Sequence, residues 1–232
     1  MPGITIVIPT LLKTDKAIFQ FSLNQYCQNE HIEKIIIIDN TTEDRFNKEY
    51  NTPQPLPKVC VLNPSDNLGA SCNAGMELCD TKYYLLLNDD LICTSEVIDH
   101  CFEIMEARPV IGLLQMATIN HQPFNIYLEH SNSFKFIAIP KFFIPTNPES
   151  TMSGWFQFGR TELWEPIPAD LKNFGGDDLN LLRIKKMGYK VAIVTSIYIS
   201  HMKATTVNAL GGLHKEHLEQ AEIYRNIAKG IK

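Results

Sequence analysis

Tyr83-Tyr84-Leu85-Leu86-Leu87-Asn88-Asp89-Asp90 is the stretch on which the fold turns. Five apolar or aromatic residues in a row are too few for a membrane span and read as a strand buried on both faces. The run stops at an amide and two adjacent carboxylates, which a buried strand does not keep in its interior. Neighbouring carboxylates repel each other and lose hydration unless positive charge lies beside them. The carboxyl end of a central strand is the usual ligand position in an open α/β sheet. Carboxylate and amide oxygens suit hard cations such as Mg²⁺ or Mn²⁺. The competing reading is a solvated turn in which Asp90 opens the next helix.

On the N-terminal side, Ile4–Ile8 reads as a strand closed by Pro9-Thr10. Thr14-Asp15 caps a helix to about Gln28, with Ile18, Phe21, Leu23 and Tyr26 as its apolar face. Ile35–Ile38 is a second apolar strand and also ends in a carboxylate, Asp39. Strand, helix and strand form a right-handed βαβ unit. The three prolines between Asn51 and Lys58 mark a loop, and Val59–Leu62 is a short third strand. Next comes the small, polar run from Asn67 to Gly75, including Gly69 and Asn73, and then Met76–Leu78 reads as helical. Small residues here either bring a helix N-terminus close to a ligand or make a tight turn and a closely packed helix.

On the C-terminal side, Thr94 or Ser95 starts a helix to about Ala107, buried through Val97, Ile98, Cys101, Phe102 and Met105, and Ile111–Ala117 is a strand. The strand ends Pro9-Thr10, Asp39-Asn40 and Asn88-Asp89-Asp90 are therefore expected along one rim of a parallel sheet. His121 to Ser150 is aromatic and proline-punctuated, and Phe134 to Pro145 reads as a hairpin or loop pair. It suits a covered edge, a dimer contact or a membrane surface. Met152–Arg160 is strand-like and carries Gly154-Trp155, where a flat ring either stacks on a sugar or fills the core. Gly175-Gly176 leads into an acidic helix start at Asp177-Asp178, with Leu179, Leu182 and Met187 expected inward and Gly188 as the closing C′ residue. Tyr189 to Ile199 continues as strand to His201, and Leu213 to Ile231 is an amphipathic helix with Leu218, Ala221, Tyr224, Ala228 and Ile231 in its stripe. His214 and His217 lie one turn apart on it, a spacing commoner for surface histidines than for a metal site.

The 232 residues suffice for one well-buried α/β domain and are short for two. A net charge of −5 without any basic cluster disfavours a nucleic-acid partner. The six cysteines are irregularly spaced and form no C-x-x-C pair, so they read as reduced core residues of a cytoplasmic protein. Neither a secretory signal nor a spanning helix is expected.

Taken together, these segments resemble the GT-A glycosyltransferases of family 2. Ile4 to Thr10 is similar to the family's opening strand, and Ile36-Ile37-Ile38-Asp39-Asn40 to its nucleoside-binding strand end. Asn67-Leu68-Gly69 with Asn73-Ala74-Gly75 resembles its glycine-asparagine segment, and Asn88-Asp89-Asp90 its metal-binding D-x-D with asparagine first. Gly175-Gly176-Asp177-Asp178-Leu179-Asn180 resembles the acidic motif that supplies the base, and Ser200-His201-Met202-Lys203 the late histidine.

The resemblance implies a single GT-A domain over 1–232, a Rossmann-like α/β fold with a mostly parallel central sheet flanked by helices. Residues 1–117 would hold the nucleotide-sugar and 118–232 the acceptor and base. It implies a divalent metal, Mn²⁺ or Mg²⁺, on Asp90, His201 and Asp89. Pro9, Thr10, Asp39, Asn67, Gly69, Asn73, Asn88 and Asp89 would contact the donor, a UDP-sugar ahead of a dTDP-sugar. Gly154 and Trp155 would touch sugar or acceptor. Asp178, with Asp177 as second candidate, would be the base of an inverting transfer to a hydroxyl, foremost on a glycan. A nucleotidyltransferase is the first rival, but Pro9-Thr10-Leu11-Leu12-Lys13 stands where its Gly- and Arg-containing loop belongs. A non-catalytic nucleotide- or glycan-binding domain is the second. A dinucleotide-dependent oxidoreductase lacks its G-x-G-x-x-G.

Overall fold

The structure is a computed structural model and describes residues 3–41, 45–50, 58–62, 67–118, 142–143, 154–201 and 214–231. The long apolar runs become strands: β1 (Ile4–Thr10), β2 (Ile32–Asp39), β3 (Lys58–Leu62), β4 (Tyr83–Leu87) and β6 (Ile111–Thr118). The others are β5 (Leu91–Ile92), β7 (Phe142–Phe143), β8 (Phe156–Arg160) and β9 (Lys190–His201). They form one mixed sheet in the order β3-β2-β1-β4-β8-β6-β9-β5, with β7 beside β9. Pairing is parallel from β3 through β4 and again between β6 and β9.

Side chains alternate across the strands, which gives each face its own core. Ile4, Ile6, Ile8, Ile35, Ile37, Leu85 and Leu87 point to one face. There they meet Phe19, Leu23 and Tyr26 of α1 (Lys16–Gln28), Phe46 of α2 (Arg45–Glu49) and the apolar side of α4 (Ser95–Ala107). Val7, Ile36, Ile38, Tyr84 and Leu86 point to the other. That face is covered by α3 (Leu68–Met76), α5 (Gly176–Lys186) and α6 (His214–Ile231). Gly75 makes α3 sit directly on β1, because a Cβ there would lie 2.3 Å from Val7 Cγ1.

Several local expectations are corrected. Strand β8, read from the sequence only as strand-like, is inserted antiparallel between β4 and β6. The α1 face turns on Phe19 and Ser22, leaving Phe21 45% exposed. Helix α3 starts at Leu68, so the glycine-asparagine run is itself helical and the helix ends at Met76. In α5 the inward residues are Leu179, Leu181 and Ile184, while Met187 is exposed. Gly188 does close that helix, at φ +89°. In α6 the N-terminal half is rotated: Leu218 is 58% exposed and Gln220 is buried. Helix α2 had no sequence expectation. Most of the aromatic stretch from Phe134 to Pro145, the prolines of 51–57, and the side chains of Cys60, His214 and His217 lie outside the described residues. Among the described cysteines all five are free thiols, and none of the described helices is long and apolar enough to cross a membrane.

Candidate active site

The carboxyl ends of β1 and β4 open onto a cavity of about 340 Å³ walled by α3, the turn before β8 and the start of α5. Pro9, Gly69, Asn88, Gly154, Trp155, Asp177 and Asp178 all line it. Seven residues named from the sequence, 169 positions apart at the extremes, thus meet in one place.

The turn into β8 and the start of α5 are joined through Asp177. The backbone amides of Asp178, Asp177, Gly154 and Gly175 surround its carboxylate and favour its charged form. Gly154 allows this approach, since a Cβ there would lie 2.4 Å from Asp177 Oδ2. Burial, the largest influence, pushes the Asp177 carboxyl above its ordinary value of 3.8, and the backbone donors oppose it. Gly175 stands at φ +81°, a left-handed conformation that glycine adopts without strain, and so turns the chain abruptly into α5. Asp178, which follows Asp177, also lines the cavity.

The acidic end of β4 is divided in a similar way. Asp89 is buried and accepts from the Thr10 hydroxyl and, at 2.9 Å, from the Thr14 hydroxyl. Thr10 Oγ1 also accepts from the Leu12 amide at 2.8 Å, which holds Leu12 at φ +51°. A non-glycine residue in that region costs on the order of 1–3 kcal/mol. The hydroxyl bonds fix the turn that carries the chain away from β1.

Asp90, by contrast, faces His201. Strand β5 pairs antiparallel with β9 and sets Leu91 opposite His201. Asp90 Oδ1 then lies 3.2 Å from His201 Nε2. Yet Asp90 Oδ1 and both His201 ring nitrogens are buried without a hydrogen-bond partner among the described residues. A buried carboxylate oxygen and an imidazole nitrogen side by side would suit two ligand positions of a divalent transition metal, although among the described residues no cluster of three or more His, Cys, Asp or Glu is placed to hold an ion. Mn²⁺ fits these groups. Both oxygens of Asp89 accept from threonine hydroxyls. Trp155 links the pair to the cavity: its ring centroid is 5.3 Å from that of His201 and its carbonyl accepts from the Asn88 amide at 3.1 Å.

Four expected donor contacts hold the protein's own chain. Asp39 accepts from Thr41 N and Phe46 N, both at 2.8 Å, and so ties β2 to α2. Asn67 caps α3 through Ala70 N. Asn73 clamps Ile167, donating to its carbonyl at 2.9 Å and accepting from its amide at 2.8 Å. Gly69 admits the 171–172 backbone, since its amide donates to Lys172 O at 2.6 Å and a Cβ would lie 2.4 Å from Leu171 O. The α3 N-terminus, one of the two sequence readings for a ligand approach, is thus filled by the chain itself. Leu68 N donates to Asn173 Oδ1, and Ser71 N to Asn67 O.

Sequence reasoning overlooked Gln157, Trp164, Lys172 and Phe174 in the cavity wall. For Gln157 a signal existed: an amide between Phe156 and Phe158 in a strand must have a use if it is buried. The other three sit in an irregular segment with no period to betray them.

The strand order, the cavity at the carboxyl ends of β1 and β4, and the acidic start of α5 agree with the GT-A-type α/β fold expected from the sequence. The sequence model of glycosyl transferase family 2 matches residues 5–165, and the chain belongs to that family. Asp177, Asp178 and His201 lie beyond the matched residues. The mannosyltransferase PcManGT from Pyrobaculum calidifontis, solved with GDP-Man and Mn²⁺, superposes with a TM-score of 0.64 at 14% identity. The match covers 97% of this chain and 64% of that one. Glucosyl-3-phosphoglycerate synthase from Mycobacterium tuberculosis, solved with Mn²⁺, UDP and glucosyl-3-phosphoglycerate, gives 0.62 at 12% identity over 92% and 76%. TarS 1-349 from S. aureus gives 0.60 at 11% identity over 90% of this chain and 63% of that one, so the chain spans less than two thirds of its length. At such identities these likenesses show the GT-A fold. No curated protein matches the chain in sequence.

Proposed function

We propose that this domain transfers a sugar from a nucleoside-diphosphate sugar to a hydroxyl, with inversion at the anomeric carbon. The observation that carries the reading is the placement of Asp178 in the same cavity as Asn88 and Trp155, whose ring lies 5.3 Å from that of His201. Asp178 takes the acceptor proton while the acceptor oxygen attacks the anomeric carbon. The bond from that carbon to the diphosphate oxygen breaks, and the nucleoside diphosphate leaves with the bonding electrons. A single base and direct displacement invert the centre. A divalent metal bound by Asp90 and His201 would offset the charge on the departing diphosphate.

Residues 1–117 hold the donor in this reading. Pro9 and Asn88 line its side of the cavity, while Thr10, Asp39, Asn67, Gly69 and Asn73 shape the site by fixing its loops. Residues 118–232 bring the base and the sugar-facing Gly154-Trp155 turn. UDP-sugars come first as donors and dTDP-sugars second. GDP-sugars enter the test because PcManGT was solved with GDP-Man. The acceptor is a hydroxyl compound, foremost a glycan.

Asp177 is the weaker candidate for the base, because its carboxylate is engaged by backbone amides. Asp178→Asn should lower transfer by about 10²–10⁴-fold and leave nucleotide binding within about twofold of wild type. A product assay paired with calorimetric titration reads both numbers. Loss of nucleotide binding in a folded Asp178→Asn protein would contradict the assignment.

A further inference from the structure

Gln157 lies in β8 opposite Leu86 of β4, 1% exposed, in the wall of the cavity that holds Asp177 and Asp178. Its flanking residues Phe156 and Phe158 turn into the core on the other face of the sheet. Its carbonyl oxygen is held: Asn180 Nδ2 donates to Gln157 Oε1 at 2.7 Å and to the Tyr84 hydroxyl at 3.0 Å. Asn180 is itself buried and stands on α5, two residues after Asp178. The Tyr84 phenol reaches this amide across Gly159, where a Cβ would lie 2.5 Å from its hydroxyl. Three elements and one obligatory glycine therefore fix the rotamer of a single glutamine.

With Oε1 held by Asn180, the two N–H donors of Gln157 Nε2 have no hydrogen-bond partner among the described residues, and the side chain lines the cavity. A buried amide donor gains most from a partner that water does not replace. Among the described residues the side chain that anchors Gln157 is Asn180, on the helix carrying Asp178, so the amide belongs to the base end of the cavity. A transferring sugar must lie there if an acceptor at Asp178 is to reach its anomeric carbon. Phosphate recognition favours cations, whereas a neutral amide suits a neutral hydroxyl oxygen.

Building on the transferase reading above, we propose that Gln157 is a specificity-determining residue that donates a hydrogen bond to one hydroxyl of the transferring sugar. Asn180 and Tyr84 act as its positioning residues. Recognition of this kind rejects an analogue without the hydroxyl, because the buried donor then stays unpaired.

Calorimetric titration in Mn²⁺ with UDP, UDP-GlcNAc, GDP and GDP-mannose, plus monodeoxy analogues of whichever sugar binds, tests the proposal on wild type and Gln157→Met. The variant should bind the nucleoside diphosphate within about twofold of wild type and the sugar nucleotide roughly 10- to 100-fold more weakly. One deoxy analogue should suffer the same loss on wild type and no further loss on the variant. Equal affinity of wild type and Gln157→Met for the sugar nucleotide would overturn the proposal. Should the variant fail to fold, the wild-type deoxy series decides alone, and uniform affinity across it overturns the proposal equally. If wild type binds diphosphates but no sugar nucleotide, the role of Gln157 falls. If it binds nothing, the transferase reading falls first and this inference with it.

Discussion

Asp89 and Asp177 each stand one position before the carboxylate assigned to the chemistry, and each is held by its own chain. Threonine hydroxyls hold Asp89, and backbone amides hold Asp177. Adjacent like charges are costly together, and using one of them for the scaffold restrains its neighbour. The resemblance ranked Asp178 ahead of Asp177 and Asp90 first for the metal, but what surrounds Asp89 and Asp177 was not legible in the sequence. Those surroundings depend on Thr14 and Gly154, which are distant in the chain. The prediction for Asp177 follows from its raised carboxyl. A group whose folded value lies above its unfolded one stabilises the protein fully below the unfolded value and loses that contribution as pH rises through the folded one. Wild type should therefore lose stability relative to the neutral Asp177→Asn as pH rises above about 3.8. Urea unfolding of both proteins from about pH 4 to 7 measures the difference. A difference that is flat, or that grows in favour of wild type with rising pH, would show that the backbone donors outweigh burial.

At the scale of elements, the cavity is held in shape by three contacts to the segment before α5. Asn73 clamps Ile167, Gly69 accommodates Leu171, and Gln220 of α6 accepts from the amides of Asn173 and Phe174 at 2.7 and 2.9 Å. This explains why α6 defeats the simple apolar stripe. Gln220 replaces Leu218 on the inward side because it satisfies two backbone donors that no apolar residue could. Strands β1, β2, β4 and β6 were legible because a continuous apolar run of that length has few other uses. The insertion of β8 was not, since pairing across 70 residues leaves no local trace. Gly69→Ala forces a Cβ against the Leu171 carbonyl and should cost about 1–3 kcal/mol. Gln220→Ala removes the acceptor of two half-buried amides and should cost a similar amount. Denaturant midpoints check both; values within about 0.5 kcal/mol of wild type would mean that the segment relaxes freely.

On the scale of the whole molecule, the sheet brings residues as distant in the chain as Pro9 and Asp178 to one rim. The motif order made Asp90 and His201 legible as partners. The short β5–β9 pairing that brings them within 3.2 Å was not, because two-residue strands carry no pattern. In this account the metal belongs to the donor site, so His201→Ala should lose the Mn²⁺-dependent part of nucleotide affinity and keep its fold. Titration of the variant with and without Mn²⁺, together with circular dichroism, reads that loss.

The central claim is a metal-dependent nucleoside-diphosphate site at the carboxyl end of β4. Isothermal titration of the wild-type protein with UDP, dTDP and GDP, each with and without Mn²⁺, tests it most directly. One nucleotide should bind, and bind markedly more tightly when Mn²⁺ is present, which also identifies the donor class. If none of the three bound under either condition, the site built around Asn88, Asp90 and His201 would be contradicted, and a glycan-binding role without transfer would take its place.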